Sequence, residues 1–475
     1  MEEMAMKTGS SGREVRVASE EEPGPLIRQR PLWRVPQLGL LVFAIVLLYW
    51  NACPPGHTTT SDRSLYDTTP ATINYARCES IVSSEARTFG FNISNSDGAE
   101  THWRLSDSSN STIGGRLSGI IHVQRGDVDQ TSDIEVRLEV NSSSIADYKN
   151  VVYNQTATSL SLDYLPSDDD EDICTEIKVM VYFRPESPER LLDVLEIRSE
   201  TFDLWIHDWA WQINNLITHT SHGEYTYEGG KGPDPLHPHN IDSSSTTGVI
   251  WGWYGCEGTL KIHSKSGQID LMLVPRYTFI GKPMRPEEIV VYTVSGDINV
   301  AALWEYWPQQ PFTHYTEIHS AYGNVVAEIP HGSYTTLASI KGNVNAYLRP
   351  FAAVSPDDES TIKTTTLYGN TVLRLDNADR ELLDELYDPL LNTKSSHWVG
   401  IGDLYLRYPF SWFGKMKAYG RKGSIKFGGS ALDEVEEGEG FVKAVRGRGA
   451  GSRMDAHVEW RGIMDVTLGI WDTDE

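Results

Sequence analysis

Positive charge is in short supply in this chain. It carries 41 Lys and Arg against 66 Asp and Glu, a formal net charge of −25, and no Lys/Arg-rich run lies outside the N-terminal tail. A nucleic-acid partner requires a basic surface, so that class is excluded. Signatures of catalysis are missing too. There is no Gly-x-Ser-x-Gly, no metalloprotease motif and no phosphate-binding Gly loop followed by Lys-Ser/Thr. Cysteine is scarce, four residues in 475, and none forms the close pair that a zinc module uses.

One stretch lacks charge of either sign. Val35 to Ala52 holds no charged residue, and its apolar centre runs from Leu38 to Trp50. About 17 to 25 residues span a bilayer as a helix, so this stretch qualifies at the short end. Trp33 before it and Tyr49-Trp50 within it suit the two membrane interfaces. The preceding region is long and the small–x–small cleavage pattern is poor, which favours an uncleaved signal anchor over a signal peptide. Arg28, Arg30 and Arg34 precede the span, and the first basic residue beyond it is Arg63. The positive-inside rule therefore places residues 1–34, a Pro-interrupted polar tail without core-forming residues, in the cytosol. Everything after Ala52 is then extracellular or in the lumen of the secretory pathway, a single-pass type II arrangement with a stalk over 53–75.

Four Asn-x-Ser/Thr sequons, at Asn92, Asn110, Asn141 and Asn154, all follow the span and precede the repeats. That asymmetry suits a glycosylated membrane-proximal region. Cys78 and Cys174 bracket it and are the expected disulfide in an oxidising compartment, with other pairings open. Cys53 abuts the membrane, as a free thiol or a homodimer link, and Cys256 lies among the repeats. Between residues 76 and 185, Gly119–Gln124, Ile134–Val140 and Ile177–Phe183 alternate apolar and polar residues, which predicts a β-sandwich-like region, separate from the repeats or continuous with them.

The rest of the chain, 186–475, returns to one unit. Thr293-Val-Ser-Gly-Asp-Ile-Asn-Val300 recurs as Ala321-Tyr-Gly-Asn-Val-Val-Ala327, Ile340-Lys-Gly-Asn-Val-Asn-Ala346 and Leu367-Tyr-Gly-Asn-Thr-Val-Leu373. Echoes stand at Lys265–Leu271 and Arg421–Phe427, and Leu195–Ile206 reads as a first repeat with Thr201 near the Gly position. The unit glycines are Gly267, Gly296, Gly323, Gly342, Gly369 and Gly423, spaced 29, 27, 19, 27 and 54, the last being twice 27. Period-two runs on either side predict strands, and Gly with Asp, Asn or Ser predicts a turn at positive φ. Regular return at this length marks stacked units that cannot bury a face alone, so the fold is all-β, a β-solenoid or β-roll rather than an ordinary sandwich. Whether the units wind or pair as hairpins is open.

The Ser-Gly-Asp-Ile, Tyr-Gly-Asn-Val and Lys-Gly-Asn-Val units resemble the adhesin-like β-repeat domain of many bacterial and fungal surface proteins. The resemblance covers roughly Leu192 to Gly469, interrupted from Asn377 to Trp398, and is that of a membrane-anchored, fungal-type member. It implies a solenoid-like surface domain without defined catalytic residues. The units near Gly423 and Gly462 lose the Asp or Asn, and there the resemblance is weakest.

Two insertions are expected in the repeats. His222 to Ser245 reads as a long exposed loop. Residues 377–391 read as a helix, with Leu383, Leu386, Tyr387 and Leu390 on one face. Asp433 to Gly440 reads as a charged loop. His219, His222, His237 and His239 gather near the first insertion but lack a second ligand pattern, so no metal site and no cofactor is assigned. Ser167 to Asp172 lacks the alternation of a Ca²⁺ loop, and Arg125-Gly-Asp127 is discounted as a short chance match. Asp297 is the obvious acid for a β-helix hydrolase, yet its counterparts Asn324, Asn343 and Asn370 cannot act as acids. The expectation is a non-catalytic membrane glycoprotein contacting glycan, cell wall or protein; the alternative is a membrane-anchored carbohydrate-active enzyme, marked by close Asp/Glu pairs in a cleft.

Overall fold

The computed structural model describes residues 81, 83–93, 101–108, 117–144, 150–164, 174–185, 191–207, 211–228, 238–255, 258–274, 288–303, 314–350, 355, 357–377, 390–447 and 451–470. All of them belong to one compact unit, Thr68–Glu475. The expected tail, membrane span and stalk lie outside the described residues. Among those described, no helix is long and apolar enough to cross a membrane. The helix expected over 377–391 falls on residues 378–389, which also lie outside.

The described residues form strands in two large sheets, one of 15 strands and one of 16. Alternation in the sequence becomes alternation in space. Thr175–Phe183 buries every odd residue and leaves Glu176, Lys178, Met180 and Tyr182 outward. Each fully buried Val, Leu or Ile contributes about 1.5–3 kcal/mol, and a strand displaced by one residue would forfeit all of its own.

From Leu191 to Pro409, consecutive strands go to opposite sheets, and each pairs in parallel with the strand two along within that stretch. The repeats therefore wind as coils and do not pair as hairpins. The core is stacked in columns. Ile250, Ile269, Ile298, Val325, Val344 and Thr371 sit in register across the first sheet, all buried. Across the second sheet, Ile262, Val291, Ile318 and Leu337 are followed by Thr364 and His397. That polar pair is accommodated because Thr364 Oγ1 bonds His397 Nδ1 at 2.9 Å and His397 Nε2 bonds the Tyr408 hydroxyl at 2.8 Å.

Several sequence expectations change. Residues 76–185 do not make a separate sandwich: His102–Asp107 pairs with Leu191–Ser199, and Leu117–Arg125 pairs with Asp203–Ile206, so both sheets run on without a break. Antiparallel pairing appears only toward the ends of the stack, for example Ser83–Phe91 against Ile134–Ser142. The expected loop from His222 to Ser245 holds two repeat strands, Tyr225–Tyr227 and Asn240–Ser245. The first is only three residues long, and it is fixed because Tyr225 and Tyr227 are both fully buried. Asp433–Gly440 is not a loop either; Glu434–Gly438 is the edge strand of the second sheet.

The last coils are out of sequence order. The C-terminal pair, Ser452–Arg461 and Met464–Ile470, is wedged between the coil of Thr393–Ile401 and Leu404–Pro409 and the coil of Gly414–Gly420 and Ile425–Gly429. The spacing of 54 before Gly423 is therefore not two ordinary turns of the stack.

Candidate binding surface

The corner where the chain passes between sheets carries most of the repeat's polar chemistry. A Cβ on Gly267 would lie 1.8 Å from the carbonyl oxygen of Gly248, one on Gly296 2.0 Å from that of Gly267, and one on Gly323 2.1 Å from that of Gly296. The contact continues through Gly342 and Gly369 to Gly402, then Gly462, then Gly423. Of the six sequence-marked glycines only Gly369, at φ 148°, has a positive φ in the left-handed range. The expected reason, turn conformation, is thus corrected for the others: glycine is required because adjacent coils approach too closely for a side chain. The first rung is Phe202, one residue beyond Thr201, since Gly223 stacks on the Phe202 carbonyl.

Three residues before five of these glycines, Gly267, Gly296, Gly323, Gly342 and Gly369, lies a buried hydroxyl. Ser264, Thr293, Ser320, Ser339 and Thr366 are all buried. The Gly267 N–H donates to Ser264 Oγ at 2.8 Å, and Ser320 Oγ donates to the Gly296 carbonyl of the preceding coil at 2.9 Å. Ser339 Oγ does the same to Gly323 at 2.8 Å. The sequence signal is Ser/Thr-x-x-Gly at the units of Gly267, Gly296, Gly323, Gly342 and Gly369, a wider motif than Gly-Asn alone; the Gly423 unit has Gly420 there.

One residue after the glycine, the Asp and Asn side chains form a third ladder. Asp297 Oδ1 accepts from the Asn324 N–H at 2.7 Å, Asn324 Oδ1 from the Asn343 N–H at 2.9 Å, and Asn343 Oδ1 from the Asn370 N–H at 2.9 Å. Asn370 Oδ1 and Asp403 Oδ1 continue it to the N–H groups of Asp403 and Ile463. Asp297 is engaged as a rung. Asp203 occupies the same position near the start of the stack, accepting from the Glu224 N–H at 2.7 Å. Burial, and then the nearby Glu224 charge, push its carboxyl up to about 6. Such a pair is a candidate general acid, but its place in the ladder accounts for it structurally.

Outside the corners, the outer faces of the sheets carry rows of ring side chains. On the first sheet His122, Trp205 and His207 cluster with centroids 4.8 to 5.8 Å apart. Burial, then His207 and Lys178, pull His122 down to about 4, so it is neutral at pH 7. His207 Nδ1 lies 3.3 Å from Glu228. On the second sheet His219, His263, Tyr292 and His319 share one outward row, and Trp398 and His457 continue it. Tyr315 and Tyr334 stack at 4.2 Å beside it, with the Lys363 ammonium 5.0 Å from the Tyr334 ring. Trp460 is 42% exposed and meets Trp398 edge-on.

The other candidates disperse. His219 bonds Ser244, His222 bonds Thr247, and His237 lies outside the described residues. Among the described residues no group of three or more His, Cys, Asp or Glu is placed to hold a metal. Arg125 ends a strand, and Gly126 and Asp127 enter the turn after it. The acidic run Ser167–Asp172 lies outside, as do Cys53, Cys78, Asn110 and Cys256. Cys174 is disulfide-bonded. Asn92 and Asn154 are exposed and Asn141 is half-buried.

No family model matches the chain, and no curated protein matches it. Among solved structures it is similar to a candidate adhesin of Parabacteroides merdae ATCC 43184, at 10% identity, over 62% of this chain and 96% of that one, with a TM-score of 0.36. A candidate adhesin of Bacteroides fragilis NCTC 9343 matches at 10% identity over 62% and 98%, with a TM-score of 0.29. A candidate lipid-binding protein of Parabacteroides distasonis ATCC 8503 matches at 9% identity over 81% and 96%, with a TM-score of 0.22. At these scores and identities the likeness carries neither fold nor function across to this chain.

Proposed function

We propose that this chain is a single-pass type II membrane glycoprotein, of the membrane-anchored, fungal-type adhesin-like class, whose β-repeat ectodomain is a non-catalytic contact surface. It acts at the cell surface or in the secretory lumen, and its ligand is a glycan, a wall polymer or a protein. The observation that carries the reading is the division of labour in the repeat. The Ser/Thr, Gly and Asn/Asp positions are engaged in holding one coil to the next, including Asp297 and Asp203, the acids an enzyme would draw on. What remains outward is long and dotted with rings, which suits multipoint contact. The Cys78–Cys174 disulfide and glycans on Asn92, Asn110, Asn141 and Asn154 belong to the same reading.

The test uses full-length protein on intact cells and vesicles. Glycosidase mobility shifts with protease protection fix the topology. Labelled β-glucan, chitin and mannan oligosaccharides then probe binding, with Trp398→Ala and Trp205→Ala variants, one on each sheet. Saturable binding weakened at least tenfold by either variant, without new reducing ends, is the expected result. Release of reducing ends from any of these polymers would overturn the non-catalytic reading in favour of a carbohydrate-active enzyme. Digestion of the repeats from the cytosolic side would overturn the orientation.

A further inference from the structure

A stack of parallel coils has two ends, and among the described residues each ends in strands whose outer N–H and C=O groups have no β partner. Such edges are templates for pairing with a second copy unless they are blunted. At one end the second sheet stops at Glu434–Gly438, whose five residues are all exposed and include Glu434, Glu436 and Glu437. Charge protects the edge of the second sheet there; the first sheet stops at Ile425–Gly429, which carries one charged residue, Lys426.

The other end is built differently. The first sheet stops at Ser83–Phe91 and the second at Val151–Gln155. These two edge strands meet. Phe89 packs edge-on against Tyr153 at 5.1 Å, the Arg87 guanidinium lies 4.5 Å from the Tyr153 ring, and Gln155 Nε2 donates to the Gly90 carbonyl at 3.2 Å. Val151-Val-Tyr-Asn-Gln155 has no charge, its composition favours strands, and Val152 is 47% exposed. On Ser83–Phe91 the only charges, Glu85 and Arg87, pair with each other. By sequence chemistry neither edge strand at this end carries an unpaired charge, yet two sequons sit on it. Asn154 lies within the edge strand of one sheet, Asn92 follows directly on the edge strand of the other, and both are exposed. Asn141 differs: it lies one strand in, on Ile134–Ser142, and is half-buried.

We propose that N-linked glycans on Asn92 and Asn154 cap the open end of the stack and block edge-to-edge association with a second copy of this chain. A branched polar glycan is bulky and hydrated, and one on each edge strand covers a seam only two strands wide. The second sheet is then protected by different chemistry at its two edges, carboxylates at one and sugar at the other. The inference rests on the reading of the chain as a glycoprotein, and the experiment separates the two.

Full-length protein is expressed in a glycosylating eukaryotic host as wild type, N92Q/N154Q and N141Q. Glycopeptide mass spectrometry reads occupancy, and light scattering after size exclusion in detergent reads mass. The expected result is occupancy of Asn92 and Asn154 in the wild type and at least a doubling of protein mass in N92Q/N154Q, with N141Q unchanged. Adding Val152→Lys to the double variant restores the wild-type mass, because a charge on the edge replaces the missing sugar; a merely misfolded protein would not recover. Occupied sites with an unchanged mass in N92Q/N154Q would overturn the capping role and leave the glycoprotein reading standing. Unoccupied sites would overturn both.

Discussion

Gly323→Ala tests the central claim about the stack. The added Cβ would stand 2.1 Å from the Gly296 carbonyl oxygen, a distance real Cβ atoms do not adopt, and to reach 3.0 Å the two coils must separate by about 0.9 Å. The hydrogen bonds that cross that corner include Tyr322 N–H to the Val294 carbonyl at 2.8 Å, Asn324 N–H to Asp297 at 2.7 Å, and Ser320 Oγ to the Gly296 carbonyl at 2.9 Å. Each contributes about 0.5–1.5 kcal/mol net, and overpacking a well-filled site costs about 1–3 kcal/mol. The expected loss is about 2–4 kcal/mol in a urea titration followed by Trp fluorescence. Gly428→Ala is the control, since its Cβ would meet nothing within 4 Å; it should stay within about 0.5 kcal/mol of wild type. Because coils contact only their neighbours, lost hydrogen-exchange protection should concentrate in Ile298–Ala302, Tyr315–His331 and Tyr334–Pro350. Equal stability of the two variants, or protection lost evenly along the chain, would refute the steric explanation.

The other predictions probe separate layers of the stack. Ser339→Ala removes the donor to the Gly323 carbonyl and leaves that group buried and unpaired, and should cost about 1–3 kcal/mol in the same titration. Asn343→Ala removes an exposed acceptor and should cost about 1 kcal/mol or less, while Asn343→Asp, the residue used at Asp297 and Asp403, should be better tolerated. Burial holds His331 and His397 down to about 3, so unfolding takes up protons between pH 6.5 and 3. Their contribution is complete above pH 6.5 and is lost as pH falls through that window, by about 2 kcal/mol per histidine at pH 5. His397→Gln should flatten the fall in urea midpoint between pH 7.5 and 5, and an unchanged slope would refute it. Arg446 is fully buried between Phe410 and Phe413 and donates to the carbonyls of Phe410, Trp412 and Ser430. Arg446→Leu should destabilise this cap by about 3 kcal/mol or more, and Lys, lacking the planar fork, should not rescue it.

The strands were legible because alternation is local. Runs such as Ile177–Phe183 and Ile298–Ala302 declare one buried face without reference to anything distant. The repeat was legible through its glycines, but the physical cause was not: a turn glycine and a close-approach glycine look the same in one coil, and the clash of Gly323 with Gly296 exists only between coils. For the same reason Ser320 and Ser339 passed for ordinary strand residues, although each bonds a carbonyl in the coil beneath. Tyr225–Tyr227 was missed because three residues are too few to show a period, and its flanks are rich in Gly and Pro. Of the outward surface, the aromatic content was visible and its sorting was not. Trp103, Trp211 and Trp412 are core, whereas Trp205, Trp251, Trp253, Trp398 and Trp460 face outward, a distinction that depends on strand phase.

The order of the last coils shows where repeat logic stops. A repeat specifies that one coil can sit on another, and the shared Gly and Asn/Asp rungs make many neighbours acceptable. They cannot say which. The choice at the C-terminal end falls to residues outside the motif. Arg407 reaches Asp465 at 2.7 Å, and Ser452 Oγ accepts from the Thr393 N–H at 3.0 Å. Trp460 meets Trp398 on the outer face. These contacts seat Ser452–Ile470 directly on Thr393–Pro409 and leave Gly414–Gly429 to close the stack above it. The units that lose the Asp or Asn, at Gly462 and Gly423, are the two above this junction, where few further coils need a rung. The ladder fades where the stack ends, and there the charged strand Glu434–Gly438 forms the edge of the second sheet.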